Sequence, residues 1–327
     1  MPLVLNHVVS LRAAWLIALA CLLTSANARA QQVDPSQAPR NFAPGVLTTV
    51  PPEILPGETA SVHPLVELRS NQKLAWQPEY LATSQTLYEK AAHARFTRDI
   101  WCLEFSYKPL RLIWVDVPQA NGRLEKKLLW YLVYSVRNTG EGLAPAAGEV
   151  NEEKAKPTEI GPVTFVPQFV LQGHDQENGR RQYRAYLDKY VPSAMEAIRR
   201  REVRGRKLLS PPQMAETPLP PAQDGDDAMW GVAIWEDVDP DLDFFSVYVQ
   251  GLTNAYRWED PDGGFQAGDP PGTGRKLVSK TLQLNFFRPG DRFLQHETEV
   301  RQGPAPGKAQ LYGDGVTEGL VYRWTYR

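Results

Sequence analysis

The run Leu128-Leu129-Trp130-Tyr131-Leu132-Val133-Tyr134 constrains this chain more than any other stretch, because every position in it is apolar. Successive side chains of a strand point to opposite faces, so such a run has no face suited to water. Both faces need cover, and a helix is the natural element to lie over the outer one. Strand signals surround it. Leu110–Val117 is a rich β run, and Asn121-Gly122 lies between the two, the pair that best supports a tight primed turn. The spacing predicts a long hairpin centred there.

Trp101, Leu103 and Phe105 alternate with Cys102, Glu104 and Ser106, which predicts a strand from Ile100 onward. Val163–Leu171, Met229–Trp235, Phe244–Leu252, Leu277–Phe287 and Leu320–Tyr326 read the same way. Arg288-Pro289-Gly290-Asp291 places Pro and Gly where a type II turn needs them. Residues 259–274, rich in Gly, Pro and Asp, separate two strands of a long hairpin. Helical spacing is found twice. Tyr80, Leu81, Ser84, Leu87, Tyr88, Ala91 and Ala92 predict a helix over 79–96, with Pro78 at its start. Tyr183, Tyr186, Leu187 and Tyr190 predict helix over 182–207, interrupted by Pro192, after which Ser193 and Glu196 form a capping box for a second segment. The expected fold class is α+β, mainly antiparallel β, with an immunoglobulin-like β-sandwich core and two or three packed helices.

The ends and breaks of the chain set its organisation. Residues 1–30 contain no Asp or Glu; Arg12 precedes the apolar stretch Ala13–Leu23, and Ala28-Arg29-Ala30 matches a small-x-small cleavage site. This is the pattern of a secretory signal peptide, too short to span a bilayer, which takes about 20 apolar residues. A lipoprotein signal ending at Cys21 is the alternative. No later apolar run approaches membrane length, so the mature chain is expected to lack a transmembrane segment and to be exported, whether periplasmic, at the cell surface or secreted. Residues 31–64 carry seven prolines and read as a linker or an arm lying on the domain. Residues 65–210 form a helix-plus-sheet region with the basic helix, 211–225 a Pro-rich loop, and 226–327 a C-terminal β region, possible as one domain with 65–210.

Charge is unevenly spread. Residues 180–207 hold ten Lys or Arg, among them Arg199, Arg200, Arg201, Arg204 and Arg206, against Asp188, Glu196 and Glu202. Residues 224–243 hold eight Asp or Glu and no Lys or Arg. Solvated faces account for this, with the basic helix near the acidic stretch; a basic surface for an anionic envelope polymer or lipid is the functional alternative. Asp237, Asp239, Asp241 and Asp243 alternate as calcium ligands can, and Asp260-Pro261-Asp262-Gly263 is a weaker candidate. The spacing departs from an EF-hand, because Leu242 holds the turn-glycine place and Tyr248 the twelfth. No other cofactor is expected. Most tryptophans (Trp101, Trp114, Trp130, Trp235) sit in apolar runs and read as core, whereas Trp76 and Trp258 lie in polar surroundings and read as exposed binding residues.

Other motifs fail on chemistry. Asp269-Pro-Pro-Gly-Thr-Gly-Arg-Lys276 echoes a phosphate-binding loop but carries Asp269 where Gly belongs and Arg275 where Lys belongs. His296-Glu297 lacks the second histidine of a zinc protease. Cys102 lies in an apolar stretch and reads as a buried, inert thiol. His174-Asp175 is one neighbouring pair whose geometry the sequence leaves open. The near-neutral balance, formal charge −2, argues against nucleic acid as a partner, and the broken phosphate loop against nucleotide. Oligomeric state is open.

The segments Ile100-Trp-Cys-Leu-Glu-Phe-Ser-Tyr-Lys-Pro-Leu-Arg111, Trp130-Tyr-Leu-Val-Tyr134, Trp230-Gly-Val-Ala-Ile-Trp-Glu-Asp-Val-Asp-Pro240 and Gly251-Leu-Thr-Asn254 resemble an uncharacterised family of exported bacterial β-rich proteins with no assigned function. The resemblance covers most of residues 50–327. It implies export and a shared β-rich fold and brings no catalytic residues with it. The expected function is a non-catalytic binding or structural module of the bacterial cell envelope, contacting protein or glycan. The alternative is an extracytoplasmic hydrolase using an acidic residue pair.

Overall fold

The computed structural model describes residues 47–62, 95–146, 155–223, 227–259, 276–289 and 299–327, together with positions 264 and 274. Residues 1–30, Trp76 and nearly all of the expected 79–96 helix lie outside these residues, as do the Gly290 turn, most of 259–274 and the second acidic candidate at 260–263. Arg95 and Phe96, the last two residues of that expected helix, belong to a strand, Arg95–Thr97.

The described chain is mostly antiparallel β with two α-helices. The first large sheet contains β1 (Thr48–Val50), β2 (Glu104–Tyr107), β3 (Arg111–Pro118) and β4 (Leu124–Arg137). Its far edge is formed by the later strand Met229–Trp235, which pairs Trp235 with Trp130 and Met229 with Val136. β2 and β3 lie end to end along the other edge of β4, and β1 extends the sheet beyond β2. The β3–β4 hairpin is present as expected. Its turn is not a primed one: Gly122 N–H donates to Gln119 O, Gln119 N–H to Arg123 O, and Gly122 alone takes the left-handed conformation, φ 77°. That is a type I turn closed by a glycine bulge, which needs φ > 0 at one residue only.

With the Met229–Trp235 strand of the first sheet counted as β7, the second sheet holds β5 (Gln168–Gly173), β6 (Ala185–Leu187), β8 (Phe244–Gln250), β9 (Tyr256–Glu259), β10 (Lys276–Phe287), β11 (Arg301–Gln302) and β12 (Tyr322–Tyr326). Its order is β6-β5-β8-β10, with β9, β11 and β12 also paired to the long β10. Smaller ladders join Ala60–Val62 to Arg95–Thr97 and Ile100–Trp101 to Glu141–Pro145 and Ala155–Glu159.

The two faces of β4 enter two separate cores. Trp130, Leu132, Tyr134 and Val136 join Phe105, Phe169, Val247, Leu284 and others between the two sheets. Ring pairs cross that gap: Trp130 meets Phe245 edge-on at 5.3 Å, and Tyr134 meets Phe169 at 4.6 Å. Leu129, Tyr131 and Val133 face the other way, against Ala194 and Ile198 of helix α1 (Pro192–Glu202). Helical cover of the outer face is therefore present.

α1 is shorter than the sequence suggests. Residues 183–190 are not helical. Ala185–Leu187 pairs with Leu171 and its neighbours as the edge strand β6, so backbone pairing overrides the 3–4 spacing. Only Tyr186 reaches the core; Tyr183, Leu187 and Tyr190 are exposed. The helix begins at Pro192, whose fixed φ suits a first turn, and the expected Ser193–Glu196 box is absent: the N-cap is Val191 and Glu196 pairs with arginines. The Pro-rich stretch after residue 210 is also structured. Pro211 and Pro212 occupy the first turn of α2 (Pro211–Glu216), with Ser210 and Gln213 as capping box, and Met214 is buried against Tyr134. Trp114, expected in the core, is exposed, with Lys126 over its ring, and Leu124 nearer the tip of the β3–β4 hairpin is exposed as well.

Residues 47–62 form an arm on the domain, held from beneath by Lys280. This lysine is buried with its Nζ 2.7 Å from Glu58 Oε1 and 3.5 Å from Glu53 Oε1, and it donates to Glu53 O at 2.8 Å. Tyr326 donates to Glu58 at 2.7 Å, and Trp324 lies under the ammonium at 5.5 Å. Removing one partner of a buried pair leaves an uncompensated charge, a loss of about 3–5 kcal/mol. Lys280→Met should lower the unfolding free energy from urea titration by that order and open the arm to proteolysis around residues 50–60. Adding Glu58→Gln should restore much of the loss; a single variant as stable as the parent would contradict this role.

Candidate functional site

The outer face of the first sheet changes character along β4. Leu129, Tyr131 and Val133 lie under α1, and the next two outward positions are Ser135 and Arg137. Register places equivalent polar residues beside them. Thr49, Ser106, Ser135 and Trp230 occupy one row across four strands, and Glu104 stands opposite Arg137 in the next. Small hydroxyl side chains between larger walls leave a groove of ≈ 260 Å³, lined by Leu47, Glu104, Ser106, Ser135, Arg137, Ala228 and Trp230.

The groove is rich in fixed hydrogen-bonding groups. Arg137 Nε and Nη2 donate to Glu104 Oε1 and Oε2 at 2.9 and 3.1 Å, a bidentate pair. Thr49 and Ser106 hydroxyls are 2.8 Å apart. Trp230 is only 9% exposed, and its indole N–H is buried with no hydrogen-bond partner. A buried donor in that state costs about 1–3 kcal/mol. Arg206 stacks over the Trp230 ring at 5.3 Å, which joins the basic stretch after α1 to this surface.

The expected binding arginines have mixed fates. Arg199 and Arg200 both pair with Glu196, and Arg204 donates to Arg200 O. Arg201 turns toward the sheet, donating to Leu112 O and pairing with Glu202. Glu202 is buried and also receives Arg111 at 3.2 Å, Lys108 at 3.7 Å and the Tyr131 hydroxyl at 2.8 Å. Burial, followed by the adjacent Glu202 charge, raises the Tyr131 phenol well above its ordinary range. This cluster anchors the end of α1 to β3 and β4. Arg200 and Arg204 remain on the surface. Trp258, in β9, is 37% exposed, in keeping with the expectation for it.

The alternating aspartates do not converge. Asp237 pairs with Lys127, Asp239 pairs with Arg184 and caps Asp241 N–H, and Asp243 lies beside Asp175. Among the described residues no three acidic, His or Cys side chains gather as a metal set. The acidic stretch meets the basic one partly, through Lys189 with Glu236 and Arg184 with Asp239. A second groove, ≈ 620 Å³, lies beside the arm and is lined by Pro52, Ile54, Leu143 and Thr158 with Glu141 and Glu159. These two glutamates stand directly opposite each other across their strands.

His174 does find a serine. Its Nε2 is 2.8 Å from Ser246 Oγ, which donates to Asn285 Oδ1 at 2.9 Å. Gln283 Nε2 donates to both Ser246 Oγ and Asn285 Oδ1. The serine proton is thus committed to Asn285, and Nε2 must donate to Ser246, opposite to what a general base does. Ser246, Gln283 and Asn285 are fully buried, so this is an internal polar network. Cys102 is buried too, and desolvation pushes its thiol up to about 12, the inert state expected of it.

The chain matches no protein-family model, no curated protein and no solved structure.

Burial, reinforced by Arg181, Arg327 and Arg323, pushes His174 down to about 4 from 6.5. Burial raises Asp175 to about 6 from 3.8, against the pull of the Phe244 and Asp243 N–H donors. The signs are opposed. Stability from neutral His174 is complete above pH 6.5 and is lost as pH falls through 4. Stability from neutral Asp175 is complete below pH 3.8 and is lost as pH rises through 6. Between pH 6.5 and 4 the two largely cancel. Asp175→Asn should therefore steepen the loss of stability on acidification, by up to about 3 kcal/mol across the interval. His174→Gln should give the reverse slope. Calorimetry showing the parental pH dependence in both variants would refute this account.

Proposed function

We propose that this protein is an exported, non-catalytic binding module of the bacterial cell envelope, its two facing sheets forming a sandwich related to immunoglobulin-like folds. The reading rests on the open half of the first sheet's outer face. There hydroxyls, a bidentate Glu–Arg pair and Trp230 line one recess, on rigid strands rather than on loops. Rigid placement of donors and acceptors serves recognition, because little ordering entropy is lost on binding. Export is supported by the leader pattern of residues 1–30.

A hydrolase built on Glu141 and Glu159 is the second reading, favoured by two glutamates paired across adjacent strands that both line the larger groove. The two are separable. Mature protein recovered from the periplasm or medium should begin at Gln31 by mass and should co-sediment with isolated envelope. Glu141→Gln should leave that binding unchanged. Absence of co-sedimentation, combined with glycan cleavage abolished by Glu141→Gln, would select the hydrolase.

A further inference from the structure

We infer that the groove between Glu104, Ser135 and Trp230 holds one uncharged sugar unit. This deepens the binding-module reading and depends on it. The first argument is charge. Glu104 and Arg137 neutralise each other, so the recess has no net charge to attract an anion, and an anionic ligand would have to displace Glu104 from Arg137. The second is pattern. A carboxylate beside a guanidinium presents acceptors and donors in alternation, and neighbouring hydroxyls of a sugar both donate and accept. Ser106 and Ser135 add a pair of hydroxyls that line the same recess.

The third argument is size. A volume of ≈ 260 Å³ lies just below the range of about 300–1,000 Å³ usual for drug-sized ligands, so it suits one ring. Leu47, 39% exposed at the rim, supplies an apolar surface for the C–H face of that ring. The same chemistry has two sources, a free monosaccharide or a unit within an envelope polysaccharide.

The test uses the full mature protein, titrated calorimetrically with neutral hexoses and N-acetylhexosamines, their uronic acid counterparts, and neutral oligosaccharides released from envelope. At least one neutral sugar should bind, with no gain from adding a carboxylate. Binding to monosaccharides identifies the free source, and binding to oligosaccharides alone the polymer. Glu104→Gln removes one negative charge and should shift preference toward the uronate. Ser135→Trp should fill the groove and abolish binding, with circular dichroism checking its fold. Preference for anions in the parent, unchanged affinity in folded Ser135→Trp, or no binding of any neutral saccharide would overturn the inference. Envelope co-sedimentation that survives in Ser135→Trp, together with no neutral saccharide bound by the parent, would overturn it while leaving the binding-module reading intact.

Discussion

Burial of β4 on both faces is the constraint from which the remaining architecture follows. A strand with no face for water must be central, must lie under a second sheet on one side, and must be roofed on the other. Trp130, Leu132 and Tyr134 meet the second sheet, while Leu129, Tyr131 and Val133 meet α1. α1 covers three outward positions and no more. Where its cover stops, β4 turns to Ser135 and Arg137, and the groove opens. The recess is the complement of the helix: the same strand supplies core under α1 and hydrogen-bonding groups beyond it.

Buried polar groups then fix how the layers sit. Glu202 ties the end of α1 to Lys108, Arg111 and Tyr131, and Lys280 ties the arm to the second sheet. Buried ion pairs add little net stability over a well-packed apolar substitute, but a misplaced partner is costly, so they select one arrangement. The Ser246, Gln283 and Asn285 network does the same without charge, beneath Tyr312, whose carbonyl accepts from Gln283.

Much of the fold was legible in the sequence, and the misses share a cause. Met229–Trp235 and the β3–β4 hairpin follow directly from local pattern. Residues 183–190 mislead because tyrosines at 3–4 spacing satisfy a helix pattern as well as they satisfy an edge strand, and the open edge of β5 decides between them. Pro211 and Pro212 signal a break, yet a break is also where a helix starts. The groove was less legible. Glu104, Ser106, Ser135 and Arg137 are ordinary polar residues until register sets them side by side. A signal did exist: polar residues replace apolar ones at outward positions of a strand otherwise greasy on both faces. Arg199–Arg201 drew attention through density alone, and most of that charge is spent on Glu196 and Glu202.

The arm carries a consequence for how the chain reaches this state. Thr48 hydrogen-bonds to Gln302, and Tyr326, next to last in the sequence, donates to Glu58. The beginning of the described chain is thus stitched to its very end. Closing so wide a loop is entropically slow and impossible before the last residues are present. A polypeptide made from its N-terminus therefore keeps residues 47–62 waiting, and the final clasp forms only once the strand that carries Tyr326 is in place.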